Sequence, residues 1–184
     1  GKVKFEGDVE ESIKHYIGMD ILAQMPVKYD FSNLRRFAHF GKEVLVKEFT
    51  FCNKERAIYE IGEQIEFSVV LDSKIELSEA QLIIKIKDNI GGLLGISFSA
   101  PFDIRIENEQ KFTFLADYKM LTNARYCLDV EVIKKAKDGS YFSYDNPNVK
   151  ILVELENEYA HGIEWNKTYW GHVLFPEIKY VENV

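Results

Sequence analysis

The side chains best suited to holding a ligand are concentrated near the C-terminus, in the segment between Tyr159 and Pro176. This segment carries both tryptophans of the chain, together with tyrosine, histidine and asparagine. In sugar-binding sites, aromatic faces stack on the C–H faces of pyranose rings while Asn, Glu and His bind hydroxyls. The pattern therefore predicts a glycan site with these candidate residues: Trp165, Trp170, Tyr169, His161, Asn166 and, from a separate loop, Tyr144. In two alternatives, the tryptophans plug the open end of a sandwich or fill a subunit interface.

Catalytic patterns are missing from the sequence. There is no GxxxxGK[ST] phosphate loop, no GxSxG nucleophile elbow and no HExxH zinc helix. Glu154, Glu156 and Glu158 alternate along one predicted strand and so share a face, as a glycosidase carboxylate pair would need. A solvated strand face is the more common setting for such a row. We predict no catalytic residues and a binding protein rather than an enzyme.

Metal-ligating residues are equally sparse. Cys52 and Cys127 have no neighbouring Cys or His at ligand spacing, and His161 and His172 lack a third partner. We predict no metal site. Two cysteines are also too few for a disulfide scaffold, so we interpret both as reduced thiols that are partly buried.

Composition narrows the class of partner. The 184 residues are 46% hydrophobic and carry a formal charge of −7, which favours a folded domain and argues against a nucleic-acid partner. No apolar run approaches the roughly 20 residues that span a bilayer. Because the sequence begins with Gly rather than Met, we expect a piece of a longer chain.

The stretch from Gln81 to Ser99 predicts a β-hairpin. Apolar residues alternate with polar ones on both arms, as in half-buried strands, and Gly91-Gly92 provides a flexible turn. We expect a single apolar stripe made of six side chains: Leu82, Ile84, Ile86, Leu94, Ile96 and Phe98. Such a stripe needs a second layer to cover it.

Further alternating segments supply that layer. They are 44–51, 64–71, 111–115, 125–135 and 149–155, with short strands at 170–175 and 178–181 and a loop through Tyr141, Phe142 and Tyr144. Eight or nine strands joined by polar turns indicate an all-β antiparallel sandwich or barrel. We assign this main domain to residues 43–184.

The N-terminal region has a different pattern. Residues 1–18 predict a short strand and then an amphipathic helix that begins at Asp8, with Glu11 completing a capping box. Residues 19–42 contain Met25-Pro26 and several basic side chains, which indicates a linker with Tyr29, Phe31, Leu34 and Phe37 as anchors. A surface loop of the main domain is the alternative.

The chain as a whole resembles the Wzt family, the nucleotide-binding subunits of ABC transporters that export O-antigen polysaccharide. The opening GKVKFEGDVEESIKHYIG resembles the closing strand and helix of their ATPase domain. Later segments resemble their C-terminal domain: IGEQIEFSVVL, LIIKIKDNIGGLLGISFS, KFTFLADYKMLTNARYCLDVEV and EWNKTYWGHVLFP. One departure is LTNARY at 121–126, where relatives often carry L-x-x-G-x-Y. We expect Asn123 to keep the turn.

The resemblance implies an immunoglobulin-like sandwich that binds the exported polysaccharide and forms a homodimer by exchanging its C-terminal strand. It also implies a cytoplasmic location beneath the membrane, with a transmembrane permease subunit as partner. ATP and Mg²⁺ would belong to the ATPase domain, so no cofactor is expected in this chain. The alternatives are a structural dimerisation module without sugar binding and an accessory domain of a carbohydrate-active enzyme.

Overall fold

The structure is a computed structural model that describes residues 25–34, 40–156, 159–160, 163–166 and 170–175. The predicted helix at residues 8–17 and the predicted strand at 178–181 lie outside this part of the chain. The strands, in order, are β1 (Lys28–Asp30), β2 (Val44–Phe51), β3 (Ile58–Glu60), β4 (Ile65–Ser73), β5 (Leu77–Lys87), β6 (Leu93–Phe98), β7 (Phe102–Ile104), β8 (Glu107–Ala116), β9 (Ala124–Lys135), β10 (Tyr141–Asp145), β11 (Ile151–Glu156), β12 (Tyr159–Ala160) and β13 (Ile163–Glu164).

Two main sheets face each other. The four-stranded sheet has the order β1-β2-β4-β8, and the seven-stranded sheet has the order β3-β11-β9-β5-β6, with β10 paired to β9 and β7 to β5. Neighbouring strands are antiparallel except β3 and β11, which run parallel. The prediction of an all-β sandwich is therefore confirmed. β6 and β8 each end their sheet, and residues of both strands border the same opening between the sheets.

The core follows the alternation in the sequence. On β9 the predicted inward residues are all buried: Tyr126, Leu128, Val130 and Val132. On β4 the predicted set is buried as well: Ile65, Phe67, Val69 and Leu71. The Phe67 ring stacks on Phe49 with centroids 4.9 Å apart. Period-two alternation places these side chains on one face of each sheet, and closing the two faces removes them from water.

The hairpin forms as predicted, but its apolar stripe is shorter. Phe98 pairs with Ile83 and Ile96 pairs with Lys85. Directly paired residues share a face, so Ile96 and Phe98 lie on the outer face, where they are 46% and 52% exposed. The prediction that all six side chains face the core is wrong for these two. The register across the loop 88–92 sets this parity, and a bulge next to Lys87 shifts it.

Some strands were missed from the sequence. Tyr141–Asp145, interpreted as a loop, is strand β10 on β9. Its exposed Tyr141 and Phe142 break the expected alternation, whereas Asp145 is fully buried and accepts the Val46 amide at 2.8 Å. Conversely, the predicted strand at 170–175 is reduced to one bridge, between Leu121 and Val173.

Part of the predicted linker contributes to the sandwich. β1 pairs with β2, and Phe31 is buried in the core, as the anchor prediction for that residue requires. The Tyr29 hydroxyl accepts the Leu152 amide of the opposite sheet at 2.8 Å. Leu34 is 39% exposed, so it does not anchor the segment, and Phe37 lies outside the described residues.

A tyrosine of β9 binds the loop that precedes this strand. The Tyr126 hydroxyl donates to the Thr122 carbonyl at 2.7 Å, the tyrosine-corner contact found in immunoglobulin-like sandwiches.

Cys52 and Cys127 are not joined by a disulfide bond, and burial raises the pKa of the Cys127 thiol. No helix among the described residues is long and apolar enough to cross a bilayer.

Candidate functional site

The two tryptophans of the C-terminal segment form a pair. Their ring centroids are 5.5 Å apart and the rings meet edge to face. The Trp165 indole N–H donates to the Gly171 carbonyl at 2.8 Å, while the Trp170 amide donates to the Asn166 carbonyl at 2.9 Å. Trp170 is 49% exposed. Trp165 is thus held by the segment and supports its neighbour, and about half of Trp170 is open to solvent.

The segment 170–175 is fixed to the loop that joins β8 to β9. The Thr122 amide donates to the His172 carbonyl at 3.1 Å, and the Leu174 amide donates to the Met120 carbonyl at 2.7 Å. These bonds and the Leu121–Val173 bridge attach the tryptophan pair to residues 117–122, which we call the β8–β9 loop.

His172 makes a second attachment on the same side. Its ring meets the buried Tyr126 ring edge to face, with centroids 5.9 Å apart. The His172 Nδ1 atom is buried and has no hydrogen-bond partner among the described residues. This histidine anchors the segment through ring packing.

The other predicted site residues are placed as follows. Tyr144 lies on β10, which pairs with the C-terminal end of β9, and its ring packs on Phe142 with centroids 4.9 Å apart. Tyr126 and Ile133 of β9 are seven residues apart, or about 23 Å at 3.3 Å per residue. Tyr144 is therefore separated from the tryptophan pair by much of the sheet. Asn166 is exposed next to Trp165, and Tyr169 and His161 lie outside the described residues.

The glutamate row is described only as far as Glu156. Glu154 binds Arg125, with 2.9 Å between Oε2 and Nε. Glu156 is exposed two residues further along β11, and Glu158 is outside the described residues. Among the residues that the structure describes, no group of three His, Cys, Asp or Glu side chains is placed to hold a metal ion.

A cavity of about 240 Å³ opens between the two sheets, on the side where β6 and β8 form their edges. Its apolar wall consists of Phe67, Leu82, Ile84 and Phe114, and its polar lining includes Ser97, Asp117 and Tyr118. Asp117 and Tyr118 begin the β8–β9 loop, so the cavity and the tryptophan pair lie at the two ends of one loop. Sequence reasoning missed the cavity because its walls come from both sheets and share no local pattern.

The outer face of the seven-stranded sheet is a further feature. Lys85 binds Glu131, and Lys87 binds Asp129 with 3.0 Å between Nζ and Oδ2. For Lys85, burial acts to lower the pKa, but the bond to Glu131 outweighs it and the pKa is raised. The positive charge of each lysine is thus balanced by the negative charge of an acidic partner on β9. These two pairs add no net positive charge to the face.

Comparison with known proteins identifies the fold. No protein-family model and no curated protein match the chain. Among solved structures, the C-terminal domain of Wzt matches with a TM-score of 0.62 and 12% sequence identity, over 89% of this chain and 96% of that one. The CARDB domain of the PF1109 protein from Pyrococcus furiosus, in complex with di-metal ions, matches 70% of this chain and 98% of its own at a TM-score of 0.38 and 13% identity.

A β-glucosidase from Listeria innocua matches 62% of this chain and 16% of its own, with a TM-score of 0.35 and 13% identity. The β-glucosidase and CARDB matches are too distant to support an argument about this chain. The Wzt match covers nearly all of both chains, and at 12% identity it establishes the fold. The chain therefore folds as a Wzt-like C-terminal domain.

Proposed function

We propose that this chain is the polysaccharide-recognition domain of the ATP-binding subunit of an ABC exporter, and that it binds the exported glycan without altering it chemically. The fold and the family resemblance support the role in export. The exposed Trp170 ring, supported by Trp165, is the observation that carries the proposal of sugar binding.

The geometry of the pair suits a pyranose ring. Trp165 uses its only polar group on the Gly171 carbonyl, so its contribution is to hold the neighbouring ring in place. An aromatic face that is already ordered loses little side-chain entropy on binding. Trp170 would stack on the C–H face of one sugar, while Asn166 lies near enough in the chain to bind its hydroxyls.

The proposed assembly follows the family. The domain is immunoglobulin-like, as the Tyr126–Thr122 bond favours, and it forms a homodimer by exchange of the C-terminal strand. An ATPase domain that holds ATP and Mg²⁺ connects it to a transmembrane permease at the inner face of the cytoplasmic membrane. The exported polymer is of the O-antigen type.

Calorimetric titration with the polysaccharide of the producing organism tests sugar binding. We expect Trp170→Ala to weaken binding at least tenfold, because the stacking face is lost. Ile90→Ala provides the control, since Ile90 is an 80% exposed apolar residue at the tip of the β5–β6 hairpin. Equal affinity of the Trp170→Ala variant and the parent would exclude the tryptophan site.

The outer sheet face is the second candidate surface for the same function. It carries the exposed apolar side chains Ile96, Phe98 and Tyr141, and the Lys135 ammonium lies 5.3 Å from the centre of the Phe98 ring. If Trp170→Ala binds normally while Phe98→Ala binds weakly, the glycan lies on this face.

A dimerisation module without sugar binding is the other candidate function. Met120 of the β8–β9 loop and Trp170 and Phe175 of the segment attached to it are all exposed, as a subunit interface would require. Sedimentation of the Trp170→Ala variant separates the two functions. The dimerisation role predicts a shift from dimer to monomer in a protein whose parent does not bind the polysaccharide.

A further inference from the structure

We propose that the cavity between β6 and β8 is a subsite for a single pyranose ring. This inference rests on the proposed function and gives the glycan a second, partly enclosed point of contact. The cavity is bounded by the inner face of the seven-stranded sheet on one side and by the end of the four-stranded sheet on the other.

The walls have the chemistry of a sugar site. Phe67 and Phe114 stack with centroids 5.5 Å apart and face Leu82 and Ile84, which gives a rigid apolar wall for C–H groups. Ser97 and Tyr118 add hydroxyl-bearing side chains to the lining, and the Asp117 carboxylate accepts the Lys119 amide at 3.0 Å and the Lys119 ammonium at 3.1 Å. Apolar walls with a few convergent polar groups are the general composition of small-molecule sites.

The size of the cavity limits the ligand. A protein cavity of roughly 150 Å³ accommodates benzene. A volume of about 240 Å³ is therefore suited to one substituted ring and is too small for an extended chain. The remainder of a bound polysaccharide has to leave through the open side, between β6 and the start of the β8–β9 loop.

One polar group of the cavity lining has no hydrogen-bond partner among the described residues. The Tyr118 side chain is 8% exposed, and its hydroxyl, which lies beside the Ser97 side chain, has no hydrogen-bond partner in the described part of the chain. Burial of a hydroxyl that has no hydrogen-bond partner is unfavourable, and a ligand that pairs with it would remove this cost. The Ser99 hydroxyl, by contrast, accepts the Leu82 amide and donates to the Ala100 carbonyl. Ser97 is thus the serine of this wall that a ligand hydroxyl is best placed to engage.

The β8–β9 loop contributes both to the cavity and to the attachment of the tryptophan pair. Asp117 and Tyr118 line the cavity, and Met120 and Thr122 hold the segment that carries Trp170. A sugar chain with one ring in the cavity would pass along this loop toward Trp170. In this arrangement the β8–β9 loop lies beneath the part of the sugar chain between the cavity and Trp170.

The test compares variants that fill the cavity with variants that do not. Ser97→Leu places an apolar side chain in the cavity, and Thr113→Leu makes a similar change on the exposed outer face of β8. In calorimetric titration with the polysaccharide of the producing organism, we expect Ser97→Leu to weaken binding at least tenfold and Thr113→Leu to leave it unchanged. Ser97→Ala removes only the hydroxyl and should weaken binding about threefold to tenfold.

A second measurement uses the monosaccharides released by acid hydrolysis of that polysaccharide, each added alone to ¹⁵N-labelled protein. We expect one of them to shift the amide signals of Ser97 and Tyr118 in the parent and in Trp170→Ala. This readout remains available if Ser97→Leu does not fold. Absence of such a shift for every monosaccharide would overturn the subsite.

The outcomes separate the two proposals. If Trp170→Ala abolishes polysaccharide binding while Ser97→Leu binds like the parent, the cavity is not a subsite and the proposed function stands. If the parent binds no polysaccharide at all, the proposed function fails and the subsite fails with it. A cavity occupied only by water predicts equal affinities for Ser97→Leu and Thr113→Leu.

Discussion

At the scale of single residues, side chains of the same type have different roles because their partners differ. Trp165 donates its indole N–H to a carbonyl and supports its neighbour, whereas Trp170 is half exposed. Tyr126 is fully buried and uses its hydroxyl on the Thr122 carbonyl, but Tyr141 is 53% exposed. The residue type alone therefore does not indicate which aromatic ring binds and which one holds the fold together.

The first prediction concerns Tyr126. Tyr126→Phe keeps the ring but removes the donor to the Thr122 carbonyl, which then lies buried without that bond. We expect the free energy of unfolding to fall by about 1–3 kcal/mol, as measured by urea denaturation. Tyr141→Phe is the matched control and should change the stability by less than about 0.5 kcal/mol. Equal effects would show that the corner bond contributes nothing beyond ring burial.

At the scale of elements, the β5–β6 hairpin shows how register decides exposure. Ile84 faces the core and is 3% exposed, whereas Ile96 pairs with Lys85 and is 46% exposed. Two hydrogen bonds hold the turn, because the Asp88 carboxylate accepts the backbone N–H groups of Ile90 and Gly92. Gly91 has a φ of 95°. Glycine adopts this left-handed conformation without the steric cost of a side chain.

The second prediction compares the same substitution on the two arms of that hairpin. Ile84→Ala creates a cavity in the core and should lower the free energy of unfolding by about 2–5 kcal/mol. Ile96→Ala removes an outer side chain and should cost less than about 1 kcal/mol. Thermal and urea unfolding of the two variants provide the measurement. Similar losses would mean that both residues face the core and that the register is different.

At the scale of the whole molecule, closing two sheets over an aromatic core changes the titration of its phenols. Burial raises the pKa of Tyr29, Tyr59 and Tyr126, and it raises the pKa of Tyr118 to about 12 while the neighbouring Ser97 acts in the opposite direction. Unfolded tyrosine titrates near pH 10. Above this pH the unfolded chain releases phenol protons that the folded chain retains, so stability must fall as the pH rises.

The third prediction follows from this fall in stability at high pH. Between pH 10 and pH 12 the Tyr118 contribution should lower the free energy of unfolding by about 1 kcal/mol per pH unit. Tyr118→Phe should reduce the slope by that amount, because phenylalanine has no proton to lose. Urea denaturation at pH 8, 10, 11 and 12 measures both slopes. Parallel curves for parent and variant would contradict the burial of this phenol.

Sequence by itself determined the class of the fold and most of its core. Alternation is a local property, so the inward residues of β4 and β9 could be identified without knowledge of their partners. The clustering of both tryptophans within residues 165–170 was likewise visible, since their separation in the chain is short.

Only the tertiary structure decided how these parts meet. It separated Tyr144 from the tryptophan pair, turned Ile96 and Phe98 to the outer face, and opened a cavity between the edges of two different sheets. Each of these outcomes depends on strand register or on contacts between residues far apart in the chain. A pattern within one segment specifies which faces are apolar, but the pairing of segments fixes which faces and edges come together.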